Sequence, residues 1–315
     1  MTRDLYDNLW KMIQESEKIL IVGHRKPDGD ALGSMCAMKL WLDSIGKGAT
    51  MACIDKPAGR YKFIPLIDEV ITEIDPANYD LIIMVDCGAH YMSGFHTQYP
   101  EVLAKNQLDS EKNPTIVNID HHASNDDFGH LNIVDVYAAS ATMIIYDIFK
   151  YFDVNVSPDI ATCLLTGIYN DTGSFMHSNT SGDVFRVSAE LLALGAQISL
   201  MIKALFKSMS VGSMKSWGRA LMNARVTDEN FVLSVVKEHE LPKTQDPEQL
   251  GGVIDYLNMV PNVKFAMLLK EERGQIKGSL RTKRDDVDLS KIAALYGGGG
   301  HPKASGFAMN GKIAD

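Results

Sequence analysis

Histidine and aspartate recur along this chain in a pattern that suits a metal centre: His24-x-x-x-Asp28-x-Asp30, then Asp86, then the consecutive Asp120-His121-His122, and finally Asp171. Imidazole nitrogen combined with carboxylate oxygen suits Mn²⁺, Zn²⁺ or Fe²⁺, whereas an all-oxygen set would suit Mg²⁺ or Ca²⁺. Taken singly, each residue has an ordinary explanation. Asp28 and Asp30 can serve as turn and helix-capping residues. Asp86 can close a strand end and Asp171 a turn, and a solitary histidine is more often satisfied elsewhere than bound to a metal. Three titratable side chains in a row at the end of an apolar strand alter that balance. Adjacent residues project in different directions from extended backbone, so one of His121 and His122 is expected to ligate and the other to face a substrate.

A strand-and-helix alternation must position these groups. Residues 18–24 form a short apolar run of the kind seen in doubly buried parallel strands, followed by helical periodicity over 31–45 and a second β-like run over 49–54. Residues 81–85 and 115–119 repeat the strand pattern, and 138–152 and 157–169 read as helices. In open parallel sheets functional groups collect beyond the carboxyl ends of the strands, where His24, Asp86 and Asp120 all lie. The Pro/Gly-shaped turn Lys26-Pro27-Asp28-Gly29 lets an imidazole and two carboxylates converge outside the sheet. Residues 181–225 turn helical, and β-like runs return at 231–236, 263–269, 275–280 and about 306–310.

Size and composition bound the possibilities. At 315 residues the chain exceeds one average domain of roughly 100–200 residues. Residues 1–190 are expected to form a parallel-sheet α/β domain, 191–225 a helical linker, and 226–315 a smaller α/β domain. The formal charge of −9 argues against a protein that coats long nucleic acid with a basic surface. No run approaches the ~18 apolar residues of a membrane span. The segment from Met1 to Lys11 carries charges where a signal peptide would be apolar, so a cytoplasmic protein with no membrane partner is expected. Cys36, Cys53, Cys87 and Cys163 lie in apolar segments without a C-x-x-C pair and read as reduced core thiols. Met201, Met209, Met214 and Met222 read as core or linker packing, and His90, His96, His130, His177 and His239 as ordinary surface or loop histidines.

In order and spacing, His24-x-x-Pro-Asp28-x-Asp30, the strand-ending Asp86-Cys-Gly, the Asp120-His121-His122 triplet and Asp171 resemble the four motifs of the DHH phosphoesterase superfamily. Gly297-Gly-Gly-Gly-His301-Pro-Lys-Ala-Ser-Gly306 resembles the glycine-rich signature of its associated C-terminal domain. Size and domain content are similar to the compact nano-RNase and 3′-phosphoadenosine-5′-phosphate phosphatase group, without the extra nucleic-acid domains of RecJ-like exonucleases. The resemblance implies two divalent cations, Mn²⁺ first with Mg²⁺ or Co²⁺ as alternatives. His24 and Asp28 would hold one ion. Asp30, His121 and Asp171 would hold the other, with Asp86 bridging. Asp120 would orient a ligand from the outer shell, and His122 would contact phosphate.

The second domain is expected to supply specificity through a cleft facing the metals. Consecutive glycines at 298–300 can bring backbone N–H groups close to an anion, and His301 follows at once. In Gly278-Ser279-Leu280-Arg281, Ser279 and a strand-ending Arg281 match a Ser-x-Arg segment found in the family at the substrate's far end, where a planar guanidinium could grip phosphate. Ser140, opening a helix, offers either a phosphate contact or an N-cap. The expected activity is hydrolysis of very short RNA to mononucleotides, removal of the 3′-phosphate of 3′-phosphoadenosine-5′-phosphate, or both. A linear or cyclic dinucleotide phosphodiesterase, a pyrophosphatase or exopolyphosphatase, and an inactive nucleotide-sensing module are the alternatives. Expected partners are short oligonucleotides or small nucleotides, with a homodimer as a further candidate.

Overall fold

The computed structural model describes residues 3–100, 114–206, 210–242 and 249–313. They fall into two compact units, residues 1–208 and 209–315. In the first, α1 (Arg3–Glu15) precedes β1 (Ile19–Val22), α2 (Gly29–Ser44), β2 (Ala49–Ala52), β3 (Leu81–Val85), β4 (Thr115–Asp120) and β5 (Leu131–Val134). α3 (Ala141–Tyr151), α4 (Pro158–Asp171), α5 (Gly182–Ala193) and α6 (Ile198–Phe206) complete it. All five strands run parallel in the order β2-β1-β3-β4-β5.

The apolar character of Ile19–Val22 and Leu81–Val85 follows from burial on both faces, and every residue in both strands is buried. Alternate residues feed two cores. Ile19, Ile21, Ile83, Val117 and Ile119 join the larger one, built with Met35, Trp41, Ile145, Phe149 and Leu164 from the helices. Leu20, Val22, Ile82, Met84 and Ile116 meet Phe95 and Phe128 in a smaller core. The register pairs Val22 with Met84 and Val85 with Ile119, so the chain leaves β1, β3 and β4 along one edge of the sheet. His24, Asp86 and Asp120 sit at that edge.

α2 and α4 are pressed together. A Cβ at Gly33 would lie 2.4 Å from the Cys163 carbonyl oxygen, so only glycine permits this approach. All four cysteines are buried, unpaired thiols. Several local readings shift: α2 starts at Gly29 rather than 31, and α4 runs through Asp171, which sits in its last turn rather than in a loop beyond it. α1 carries no sequence signal used above, and β5 is short with a polar Asn132 at its centre. Met201 is buried, but Met214 and Met222 are exposed rather than core residues, and Met209 lies outside the described residues.

The second unit contains α7 (Val211–Met222), β6 (Arg225–Val226), β7 (Val232–Val236), α8 (Val253–Leu257), β8 (Ala266–Glu272), β9 (Gln275–Arg281), α9 (Leu289–Ala294), β10 (Gly299–His301) and β11 (Ala304–Asn310). Its sheet runs β10-β11-β9-β8-β7-β6, antiparallel except for the parallel β7–β8 pair. The glycine run expected to approach an anion is in part a strand: Gly299 pairs with Gly306, Gly300 with Ser305 and His301 with Ala304. A Cβ at Gly298 would meet the Gly306 oxygen at 2.2 Å, and one at Gly300 the Ala304 oxygen at 2.6 Å. Sheet packing thus accounts for those two glycines, whereas at Gly299 nothing lies in the way. Among the described residues no single helix is long and apolar enough to cross a membrane.

Gly33→Ala is expected to lower stability by about 1–3 kcal/mol through overpacking of the α2–α4 contact. Chemical denaturation measures this, and an unchanged midpoint would show that the contact relaxes freely.

Candidate metal centre

The turn after β1 delivers three of the expected ligands. Asp28 caps α2, its Oδ1 accepting the Asp30 and Ala31 backbone N–H groups at 2.9 and 3.2 Å. The ordinary capping role is therefore real, yet the same side chain faces His24, whose Nε2 lies 3.8 Å from Asp28 Oδ1 and 3.4 Å from Asp86 Oδ2. His24 Nδ1 sits 2.8 Å from the Arg25 carbonyl oxygen, which can only accept. In neutral His24 the proton is thereby fixed on Nδ1, and the Nε2 lone pair points at carboxylates.

Asp86 lies between the two halves of the cluster. It follows β3 in the left-handed region, φ 56°, a conformation that costs a non-glycine residue energy and recurs at functional sites. Its Oδ2 faces His24, and its Oδ1 faces His121 Nε2 at 3.5 Å. His121 Nε2 also lies 3.1 Å from Asp171 Oδ2 and 3.9 Å from Asp30 Oδ2. Both Asp86 Oδ1 and His121 Nε2 are buried without a hydrogen-bond partner, which is costly unless a further group binds them. The ligand atoms sort into His24, Asp28 and Asp86 on one side and Asp30, His121 and Asp171 on the other. Each set lies within 4.8 Å, and Asp86, His121 and His122 form a third such set. Mixed nitrogen and oxygen donors in two adjoining sets, joined through one carboxylate, fit a pair of divalent cations.

His122, its ring 4.7 Å from that of His121, has a different hydrogen-bond partner. Its Nδ1 is 2.7 Å from Asp120 Oδ1, and Asp120 also accepts the His122 backbone N–H at 3.2 Å and Asn125 Nδ2 at 2.6 Å. Asn125 Nδ2 in turn reaches Asn118 Oδ1 at 2.8 Å. The fully buried Asp120 therefore orients His122 and does not face the cluster directly.

Of the two roles open to Ser140, the structure shows the N-cap and not an exposed anion contact. The N-terminus of α3 receives a protein carboxylate in place of phosphate: Asp30 accepts the N–H groups of Ala141 and Thr142 at 2.6 and 3.0 Å and the Thr142 hydroxyl at 2.8 Å. Ser140 itself is fully buried and caps α3 through Met143 N–H. A helix N-terminus favours an anion, and here the chain provides its own.

Charge sets the protonation of the metal-free cluster. Burial alone would lower the pKa of His24, but the carboxylates of Asp28 and Asp86 outweigh it and raise it to about 11. The same contest at His121, burial against Asp171, Asp86 and Asp30, ends at about 12. Burial opposes ionisation of Asp86 too, yet His121 and His24 hold it well below the usual carboxylate range. Asp30 is pushed well above that range by burial and by Asp86 and Asp171; Asp171 is raised by burial despite His121.

Sequence reasoning left four polar residues around the cluster without a role: Asn118, Asn125, Asn170 and Tyr61. Asn118 precedes the triplet and could have been suspected on that ground. The others gain meaning only when separate loops are brought together.

Two family models match the chain, the DHH family N-terminal domain over residues 18–168 and the DHHA1 domain over residues 228–314. The bifunctional oligoribonuclease and PAP phosphatase NrnA of Thermus thermophilus is 29% identical over 300 residues, 94% of this chain and 86% of that protein. The protein of the same name from Bacillus subtilis is 24% identical over 311 residues, 96% and 92% of the two chains. The crystal structure of an exopolyphosphatase-related protein from Bacteroides fragilis matches with a TM-score of 0.88 at 23% identity, covering 99% of this chain and 93% of that one.

At neutral pH His24 and His121 of the metal-free protein hold protons that a cation must displace, so Mn²⁺ affinity is expected to rise with pH. Adding Mn²⁺ to chelator-treated protein in weak buffer at pH 7 should release protons, the two imidazoles among their sources. Binding with no proton release would show that these histidines are not displaced.

Proposed function

This chain belongs to the DHH family, a DHH N-terminal domain followed by a DHHA1 domain, and on that premise we propose a nucleotide-directed activity for this metal-dependent hydrolase. The proposed reactions are hydrolysis of very short oligoribonucleotides to mononucleotides and removal of the 3′-phosphate from 3′-phosphoadenosine-5′-phosphate. The observation that carries the reading is Asp86, buried with one oxygen toward each of two histidine-carboxylate sets. The relatives whose names state this pair of activities match the chain nearly end to end. An inactive sensor has no need of a complete ligand set, and all six expected ligands converge here.

A pair of divalent cations bound by these residues, Mn²⁺ in this reading, would supply water activation near neutral pH and electrostatic stabilisation of the phosphoryl oxygens. His24 and Asp28 would hold one cation, Asp30, His121 and Asp171 the other, and Asp86 both. The remaining work falls to the chain. His122, its Nδ1 held by Asp120, has Nε2 left for the phosphoryl group. Burial lowers its pKa, but Asp120 and Asp86 outweigh that and raise it, which favours an imidazolium able to offset charge developing on phosphate.

Recognition of the rest of the nucleotide is assigned to the second unit. Paired residues of an antiparallel sheet share a face, as do residues two apart on one strand. Arg281, Ala304 and His301 form one cross-strand row, and Ser279, Gly306 and Gly299 the next. Arg281 and His301 therefore stand two strands apart, about 10 Å, across a floor of small residues. Such a floor admits a flat or anionic group between a guanidinium and an imidazole. Arg281 Nε lies 3.2 Å from Asp255 Oδ1 and its NH1 donates to the Leu280 oxygen at 3.0 Å, which aims the remaining N–H groups.

Product analysis against di- to pentaribonucleotides, their DNA counterparts, 3′-phosphoadenosine-5′-phosphate, cyclic dinucleotides and pyrophosphate tests the reading. Mononucleotides from short RNA, or loss of the 3′-phosphate, are expected; turnover of pyrophosphate alone would contradict it. Arg281→Ala should weaken nucleotide binding by about 1.5–3 kcal/mol, roughly 10- to 150-fold in KM. It should spare a small generic phosphodiester, and equal losses on both would remove Arg281 from recognition.

A further inference from the structure

We propose that Asn170 is a positioning residue that ties the two cation positions together, and that Tyr61 fixes its orientation. Asn170 Nδ2 lies 3.1 Å from Asp28 Oδ2 and 3.2 Å from Asp171 Oδ1. The two hydrogens of one amide nitrogen thus go to one carboxylate from each ligand set, residues 142 positions apart and adjacent in sequence, respectively. The Asn170 carbonyl oxygen accepts the Tyr61 hydroxyl at 3.2 Å. An amide oxygen cannot donate, so the phenol supplies this proton.

The amide has one chemically acceptable orientation. Reversing it would set a carbonyl oxygen against two carboxylates, with no donor between them, and would lose the hydrogen bond that the Tyr61 hydroxyl now donates. Tyr61, 1% exposed in the crossover between β2 and β3, has little freedom to move away, and the Arg60 guanidinium lies over its ring at 4.9 Å. Asn170 is seated just as firmly, since a Cβ at Gly29 would approach its own Cβ to 2.9 Å. The glycine of the first motif therefore makes room for this side chain against the opening of α2.

Each carboxylate uses one oxygen toward Asn170 and the other toward its histidine: Asp28 Oδ1 faces His24, and Asp171 Oδ2 faces His121. Asp28 is held from both sides, Oδ1 by the α2 cap and Oδ2 by Asn170, whereas Asp171 is held by Asn170 through Oδ1; Asn170 thus helps to set the rotation of both carboxyl groups and how each faces a cation. Carboxylate ligands are commonly aimed by such outer hydrogen bonds, and losing one costs about 10- to 100-fold in metal affinity or activity. A single residue serving both sets makes the two positions respond together.

Asn170→Leu keeps the volume, removes both donors and adds no charge; Tyr61→Phe removes only the hydroxyl. Equilibrium Mn²⁺ binding to chelator-treated protein, followed by the electron paramagnetic resonance of free Mn²⁺, reads the outcome without reference to substrate. Asn170→Leu is expected to weaken both binding steps by about 10- to 100-fold, with the native unfolding transition retained. Tyr61→Phe is expected to shift both in the same direction by less. Wild-type affinity in Asn170→Leu, or loss confined to one step, would overturn the proposal. Should Asn170→Leu not fold, wild-type binding by Tyr61→Phe would overturn it. The proposal rests on the two-cation reading, which fails separately if the unaltered protein binds no Mn²⁺.

Discussion

Carboxylates gathered out of water repel one another, and this repulsion is the constraint around which the first unit is arranged. Asp28, Asp30, Asp86 and Asp171 carry four negative charges when ionised, and Asp30 and Asp86 are almost wholly buried. Protonated His24 and His121 offset only half of that charge. Two divalent cations with neutral imidazoles would offset all of it, which would account for a cluster that is unfavourable to assemble otherwise. The parallel sheet brings the ends of β1, β3 and β4 to one edge, and the close α2–α4 contact carries Asp171 to the same place. The N-terminus of α3 holds Asp30 with three hydrogen bonds.

Much of this was legible in the chain. Apolar runs ending in His24, Asp86 and Asp120 encode their own geometry, because a doubly buried parallel strand must be apolar and must end where the sheet ends. The different partners of His121 and His122 were anticipated from their adjacency, but their rings are not driven apart: the centroids are 4.7 Å apart, with His121 among the carboxylates and His122 hydrogen-bonded to Asp120. Ser140 was not legible. A serine at a helix start is compatible with a cap or an anion site, and what decides is a carboxylate 110 residues earlier in the chain that occupies the N–H groups first. The glycine run misled for a related reason. Four glycines in sequence read as a loop, but Gly298 and Gly300 answer to carbonyl oxygens of the neighbouring strand, a demand set only once the sheet forms. Asn170 and Tyr61 belong to the same class, since each gains its role from partners distant in sequence.

The two units divide the chemistry along physical lines. The first offers buried, preorganised charge, which serves a reaction common to every phosphate ester. The second, in the proposed function, would use the row of small residues between Arg281 and His301 to discriminate among ligands by shape and charge. Such a separation of tasks would let one cation-binding arrangement accompany different phosphorylated substrates.

Crystallising the protein with Mn²⁺ and locating the ions by anomalous scattering tests the central claim most directly. Two peaks about 3.5–4 Å apart are expected, with Asp86 reaching both. A single peak, or two peaks that share no carboxylate, would contradict the account.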